Sequence, residues 1–428
     1  MHIRTHLPAL AAGFLLLFAP AHSTRAQESV DILINEDGTS RTESIDLPPS
    51  MTYPLDSLLN DWKAKTYIDL GKDCSTSHIN PTFPDSVYID RLARMPVLME
   101  MPYNDIVRKF IDTYTGRLRT HVSFMLSACN FYMPLFEEAL DAYGLPIELK
   151  YLPIIESALN PSAVSRAGAT GLWQFMLSTG KLYGLESNSL VDERRDPIKA
   201  TWAAARYLKD MYDIYHDWNL VIAAYNCGPG NINKAIRRAD GKTDYWEIYR
   251  YLPRETRGYV PAFIAANYVM TYYCKHNICP METNIPKATD TVQVTRDLHF
   301  QQIADLCHVP LDEIKNLNPQ YKRNIIPGLS KPRTLRLPTE AISAFLDLQD
   351  TIYAHRASEF FKNRRTVAVA GQGSSGSTEG NLTWYRIRQG DTLGGIARKF
   401  GVSVRQLRRW NGLRGNNIRA GRRLKIYR

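Results

Sequence analysis

The stretch Glu148–Met176, ELKYLPIIESALNPSAVSRAGATGLWQFM, decides how this chain is read. It sets one carboxylate, Glu156, at the end of an apolar run, followed by a proline-punctuated turn, a glycine-rich segment and the polar Gln174 among apolar residues. A helix starting at Pro146 would bring Leu149, Leu152, Ile155 and Glu156 close to one face by i, i+3 and i+4 spacing. Asn160-Pro161 ends that helix, leaving Glu156 in the last turn, where the helix dipole disfavours negative charge. Apolar neighbours disfavour it as well, so the carboxyl is expected to keep its proton to higher pH than an ordinary glutamate, as a general acid near neutrality must. A lone glutamate is more often a surface or capping residue, and the rest of the chain has to decide between the two.

Around this stretch, from Arg91 to about Pro280, apolar residues recur at helical spacing, as in Ile106, Phe110, Ile111 and Tyr114, or Phe136, Ala139, Leu140 and Tyr143. Trp202–Tyr215, Leu220–Tyr225 and Val260–Tyr273 are further helical runs, and strand alternation is scarce. Residues 91–285 therefore read as one helical domain. Residues 27–90 are polar with scattered Pro and Ser, and read as an extended arm or wrapping loops.

The texture changes beyond Pro286, where an internal repeat emerges. Gln302–Asn318, QIADLCHVPLDEIKNLN, aligns without a gap on Gly395–Asn411, GIARKFGVSVRQLRRWN. Ile303 meets Ile396, Val309 meets Val402, Ile314 meets Leu407 and Asn318 meets Asn411. Strand-like triplets flank both copies: Val292–Val294 and Leu335–Leu337, then Tyr385–Ile387 and Leu424–Ile426. Each copy reads as a small βααβ unit, at 290–340 and 383–428. Two copies are too few for a solenoid, so separate beads are expected. Residues 341–382 between them read as a helix and then a flexible linker, GQGSSGSTEG at Gly371–Gly380.

Charge is distributed unevenly over the 428 residues. The net +10 conceals 13 Lys or Arg against the single acid Asp391 from Asn381 onward, so the first 380 residues are slightly negative. The basic last module calls for an anionic partner: nucleic acid, lipid head groups or an acidic polymer. At the other end, Arg4 and His6 precede an apolar run, Leu7–Ala19, and Thr24-Arg25-Ala26 offers a cleavage site. Residues 1–26 read as a removable secretory signal without a lipobox cysteine. The six cysteines then face an oxidising space that permits disulfides, and Cys274 and Cys279 are close enough in sequence to pair. No CxxC pair or HExxH is present, which leaves little for a zinc site.

Three further stretches join the first: Gly168–Met176, GATGLWQFM; Ala224–Gly230, AYNCGPG; and Leu252–Val260, LPRETRGYV. Singly, each is ordinary turn chemistry. In this order, Glu156-Ser157, Gly171-Leu172-Trp173-Gln174, Ala224-Tyr225-Asn226-x-Gly228 and Glu255-Thr256-Arg257-x-Tyr259-Val260 resemble the family 1 lytic transglycosylases (SLT domain). These enzymes cleave the glycan strands of peptidoglycan and have a lysozyme-like, goose-type helical fold. Trp173, where Met is common, is similar to the membrane-bound lytic murein transglycosylase D branch, which carries LysM modules after its catalytic domain. Tyr385–Leu393, YRIRQGDTL, resembles the opening of a LysM module, a binder of N-acetylglucosamine polymers. The first repeat departs from that opening, with Arg296-Asp297-Leu298 in place of Gly-Asp-Thr-Leu.

The resemblance implies a mainly α chain: a lysozyme-like catalytic domain followed by small βααβ LysM-like modules. It implies that Glu156 alone protonates the glycosidic oxygen between N-acetylmuramic acid and N-acetylglucosamine, then takes the proton of the muramoyl C6 hydroxyl as that oxygen attacks C1. Ordinary glycosidases need two carboxylates; the motifs supply one, with Glu148 and Glu186 as the nearby candidates for a second. By the same resemblance Ser165, Gln174 and Asn226 bind sugar, Tyr225 lines the cleft and Tyr259 orients Glu156. Glycan binding by the last module falls to Gly390, Asp391, Thr392, Leu393, Asn416, Asn417 and Ile418. The expected partner is peptidoglycan glycan, met in the periplasm by a monomer, in solution or in peripheral association with the wall or outer membrane. No nucleic acid, cofactor or metal is expected. Two rivals stay open: a hydrolytic, lysozyme-type muramidase and a non-catalytic peptidoglycan-binding scaffold.

Overall fold

A β-hairpin comes first in the computed structural model, which describes residues 28–361 and 382–427 apart from 37–38, 56–57, 59–78, 287, 414 and 416. The leader and the linker expected from the sequence lie outside the described residues. The hairpin pairs β1 (Ser29–Glu36) with β2 (Thr39–Asp46), Val30 opposite Ile45. Val30 and Ile32, two residues apart, turn to the same buried face as period-two strands require. This part of residues 27–90 is thus regular structure, not loop. Its alternation is short and interrupted by charged residues, which hides it in the sequence.

The helical region follows. Helix α1 (Asp105–Thr115) is capped by Asn104, whose side chain accepts from the Val107 amide at 2.9 Å. Next come α2 (Arg119–Ala142) and, after a 3₁₀ turn at Ile147–Tyr151, the short α3 (Leu152–Ser157). Helix α4 (Pro197–Tyr215) is capped by Asp196 with proline in its first turn, and α5 (Trp218–Cys227) is capped by Asp217. Helix α6 (Tyr259–Tyr272) is the axis: every residue from Tyr259 to Met270 is buried. A helix apolar on all sides must be enclosed, and α1, α2, α3 and α5 enclose it.

Both repeat copies are βααβ units. In the first, β3 (Thr289–Val294) pairs antiparallel with β4 (Arg333–Pro338) around α7 (Phe300–Cys307) and α8 (Leu311–Leu317). In the second, β5 (Leu382–Arg386) pairs with β6 (Arg423–Tyr427) around α9 (Leu393–Phe400) and α10 (Val404–Trp410). The aligned asparagines do the same work in each. Asn318 Nδ2 donates to the carbonyls of Ile314 and Arg336 at 2.9 and 2.7 Å and its oxygen accepts from the Arg336 amide. Asn411 makes the matching bonds to Leu407 and Lys425.

The chain divides into two compact units, one through Phe360 and one from Phe361 on. The first copy shares its unit with the helical region instead of forming a separate bead, because Val191 from that region enters its apolar core with Phe300, Ile303 and Leu335. The helices that follow it also belong to its packing: Gln302 Nε2 donates to the carbonyls of Ile352 and His355 at 3.0 and 2.6 Å. Among the described residues no helix is long and apolar enough to cross a membrane.

Candidate active site

Glu156 occupies the last turn of α3, buried to 8% exposure. The helix ends in two left-handed residues, Ala158 at φ 50° and Leu159 at φ 60°. Neither is glycine, and such positions cost on the order of 1–3 kcal/mol each, a strain that clusters at functional sites. Burial pushes the Glu156 carboxyl up from 4.5 to about 7, against the lowering effect of Tyr259, whose hydroxyl donates to Glu156 Oε1. Tyr259 opens α6 and is itself fully enclosed, so the donor cannot swing away. Among the described residues no second acid contributes to the setting of Glu156.

The glycine-rich loop is tied directly to α3. Ser157 Oγ donates to the Leu172 carbonyl at 2.9 Å, so the residue after the acid holds the loop. Trp173 is buried in the core, its Nε1 donating to Thr201 Oγ1 at 2.9 Å and its ring edge-on to Phe136. Tyr225, on α5, donates from its hydroxyl to the Trp173 carbonyl at 2.7 Å; burial first and then Glu156 raise its pKa well above the usual value. Gln174 sits at φ 46° and its Nε2 donates to the Gly171 carbonyl at 2.8 Å. Ser165 lies half-buried in the same loop, its Oγ accepting from the Ala169 amide at 3.0 Å.

Asn226 lies in the last turn of α5, beside the Glu255–Val260 motif. Its Oδ1 accepts from Thr256 Oγ1 at 2.9 Å, which fixes the amide. The neighbouring Cys227 thiol is pushed up to about 11 by burial, which fits packing and not nucleophilic attack. Glu148 and Glu186 both have structural work. Glu148 accepts the amides of Leu98 and Met99 at 2.5 and 2.6 Å. Glu186 is bound by the Arg333 guanidinium and Lys331, which hold its carboxyl down at about 2. Of the six cysteines, 129, 227, 274, 279 and 307 are unpaired, so the pairing of Cys274 with Cys279 does not form; Cys74 lies outside the described residues.

Sequence reasoning missed the contribution of the N-terminal hairpin. Arg257, in the Glu255–Val260 motif, pairs with Glu43 of β2, and Gly258 lies so close that a Cβ would stand 2.7 Å from the Asp46 carbonyl. Just beyond, Ser50 Oγ donates to the Ile155 carbonyl at 2.6 Å. Tyr53 follows, its hydroxyl buried without a partner among the described residues and pushed up to about 12 by burial and then by the charge of Glu156. The serine and tyrosine carry no periodic signal, so nothing short of the fold locates them.

Comparison with known proteins decides what this arrangement belongs to. The transglycosylase SLT domain model matches residues 134–248, the lytic transglycosylase MltD LysM-like domain matches 288–354 and the LysM domain matches 385–426. Membrane-bound lytic murein transglycosylase D of Escherichia coli (strain K12) is 31% identical over 332 residues, 77% of this chain and 70% of that protein. The chain belongs to the lytic transglycosylase family. The soluble lytic murein transglycosylase of the same organism is 31% identical over 170 residues, 38% of this chain and 26% of that one. The crystal structure of the 70 kDa soluble lytic transglycosylase from Escherichia coli covers 41% of this chain and 30% of its own at 25% identity, with a TM-score of 0.32.

The expected class, a mainly α catalytic region followed by βααβ LysM modules, therefore holds for this transglycosylase. The SLT match spans Glu156, Ser165, Gln174, Tyr225 and Asn226 and stops before Tyr259. In the last module, Asp391 accepts from Tyr385 Oη at 2.8 Å and the Arg388 amide at 2.7 Å, and Thr392 caps α9. Leu393 is a core residue, Ile418 packs against that core, and Gly390 and Asn417 are exposed. Asn416 lies outside the described residues.

Proposed function

We propose that this transglycosylase cleaves the bond between N-acetylmuramic acid and N-acetylglucosamine in peptidoglycan without water. The observation that carries the reading is the enclosed Glu156 carboxyl, proton-bearing up to about pH 7 and held by Tyr259 with no companion acid among the described residues. Glu156 gives its proton to the glycosidic oxygen as the C1–O bond breaks, and the N-acetylglucosamine hydroxyl leaves. The carboxylate then accepts the proton of the muramoyl C6 hydroxyl, whose oxygen closes on C1 to give the 1,6-anhydro end. One group serves as acid and then base, and Tyr259 keeps its Oε1 oriented through both steps.

Ser165, Gln174 Oε1 and Asn226 Nδ2 bind N-acetyl and hydroxyl groups of the sugars, and Tyr225 lines the cleft. The module at 383–428 holds the polymer through the loops at 390–393 and 416–418, and its basic side chains face the carboxylates of stem peptides. The protein acts as a monomer in the periplasm after loss of residues 1–26. Digestion of purified murein followed by mass spectrometry tests the reaction: anhydro-muropeptides, each lighter by one water than the hydrolysed form, are expected. A reducing-end product would make the enzyme a muramidase, and equal clearance of purified wall by the wild type and Glu156→Gln would remove Glu156 from the mechanism.

A further inference from the structure

We infer that the first LysM-like module is a buttress for the loop at 163–175, with Arg333 as its positioning residue, and not a second glycan-binding module. The inference rests on the reading of Ser165 and Gln174 as sugar ligands, since both lie on that loop.

Bonds run continuously from the module to the loop. Arg333, at the start of β4 and only 5% exposed, grips Glu186 with Nη1 and Nη2 of its guanidinium at 3.0 and 3.1 Å. It lies 3.6 Å from Glu193 as well. Before it in the chain, the Gln320 carbonyl accepts from the Asp192 amide at 2.9 Å, the Lys322 amide donates to the Leu190 carbonyl at 2.7 Å, and Lys322 Nζ donates to the Asn188 carbonyl at 2.9 Å. Tyr321 and Val191 form a β-bridge between them. Segment 186–193 is thus held along its length by the module.

Asp192 passes this constraint on. Its carboxylate accepts from Arg194 Nε and Nη2 at 2.9 and 2.8 Å, a forked pair that fixes the guanidinium plane. The remaining nitrogen, Nη1, donates to the carbonyls of Gly168 and Phe175 at 2.9 and 3.0 Å. One guanidinium therefore spans the loop from its tip to its far end. Gly171 lies flat on the same segment, with the Arg194 carbonyl where a Cβ would stand. The loop carries no helix or long strand of its own, so beyond its internal bonds its placement depends on these contacts together with Ser157, Tyr225 and Thr201.

The same residues explain what the module has given up. In the second copy the connection from α10 to β6 carries three of the positions proposed for glycan binding. In the first copy the matching connection, from Asn318 to Lys331, is occupied by the contacts to residues 186–192. A connection engaged in this way is not free to close on a polymer as well.

The test compares the full chain with Arg333→Gln, Arg333→Lys and Lys322→Gln by hydrogen exchange and kinetics on soluble murein glycan. In Arg333→Gln, amides of Gly168, Thr170 and Gly171 should exchange about tenfold faster while those of α6 do not change. KM should rise about tenfold with kcat within about twofold, and Arg333→Lys, which keeps charge but not the fork, should fall between. If Arg333→Gln does not fold, Lys322→Gln carries the same expectation with smaller shifts. Unchanged exchange at 163–175 in a folded variant would overturn the inference. Faster exchange with an unchanged KM would overturn the assignment of Ser165 and Gln174, and with it any catalytic value of the buttress.

Discussion

The hydroxyl of Tyr259 donates to Oε1 of Glu156 across 103 residues of sequence, in surroundings that bury the tyrosine and leave the carboxyl only a narrow exposure. Burial holds the carboxyl up at about 7, and the tyrosine opposes it by stabilising the ionised form. The acid must enter the reaction protonated, so kcat/KM should fall as pH rises through about 7, with no second carboxylate limb near 4. Tyr259→Phe removes the lowering influence, so that limb should move up by roughly one unit, as expected for a lost hydrogen bond to a charged group. Its kcat should fall as the acid loses orientation. A limb that stays in place would detach the tyrosine from the titration.

Glu156→Gln should abolish turnover, since one side chain supplies both proton transfers, each worth about 10²–10⁴-fold. Its effect on stability has the opposite sign. The folded carboxyl binds its proton more tightly than the unfolded one, so wild-type stability is full below about 4.5 and declines as pH rises toward 7. A shift of this size corresponds to about 3 kcal/mol. The glutamine variant has no proton to lose and should melt with the wild type at pH 4 but above it at pH 8.5. Thermal unfolding at the two pH values measures this directly.

The residues proposed to carry the chemistry stand out in the sequence because their local signals are strong. Glu156 sits where apolar spacing meets a helix stop, and Asn318 and Asn411 stand at one position of a repeat. What escaped the sequence depends on approach between distant segments. Nothing local says that Arg333 would reach Glu186, or that Val191 would complete the core of the first module. The hairpin was missed for a related reason: its apolar residues bury only against the helical region, and Glu43 acquires meaning only beside Arg257.

Gly171→Ala should be among the most damaging single-methyl changes in the chain. The glycine stands at φ +91°, and an added Cβ would lie 1.9 Å from the Arg194 carbonyl oxygen. Backbone atoms cannot rotate aside as a side chain can, so the 163–175 loop or the 192–195 segment must shift. Left-handed strain alone costs about 1–3 kcal/mol, and the collision adds to it. Weaker melting together with lost activity is expected. Gly168→Ala, also at positive φ but with open space around it, should cost only the strain.

The paired asparagines separate the two units experimentally. Asn318 is fully buried, and Asn318→Ala would leave the Arg336 amide and the carbonyls it serves without partners or water. A loss of about 2–4 kcal/mol is expected, since several buried groups are orphaned at once. Asn411 makes the same bonds but is half-buried, so water replaces part of what Asn411→Ala removes, and about 1 kcal/mol should be lost. The site of the loss should differ too. Asn318 shares a unit with Glu156, so its variant should lower the melting of the catalytic region and the turnover with it. Asn411 lies in the other unit, so its variant should weaken retention on insoluble murein while turnover of short soluble glycans stays near wild type. Calorimetry of the two variants, read beside both assays, checks the division: equal shifts of one common transition would mean that the units do not unfold independently.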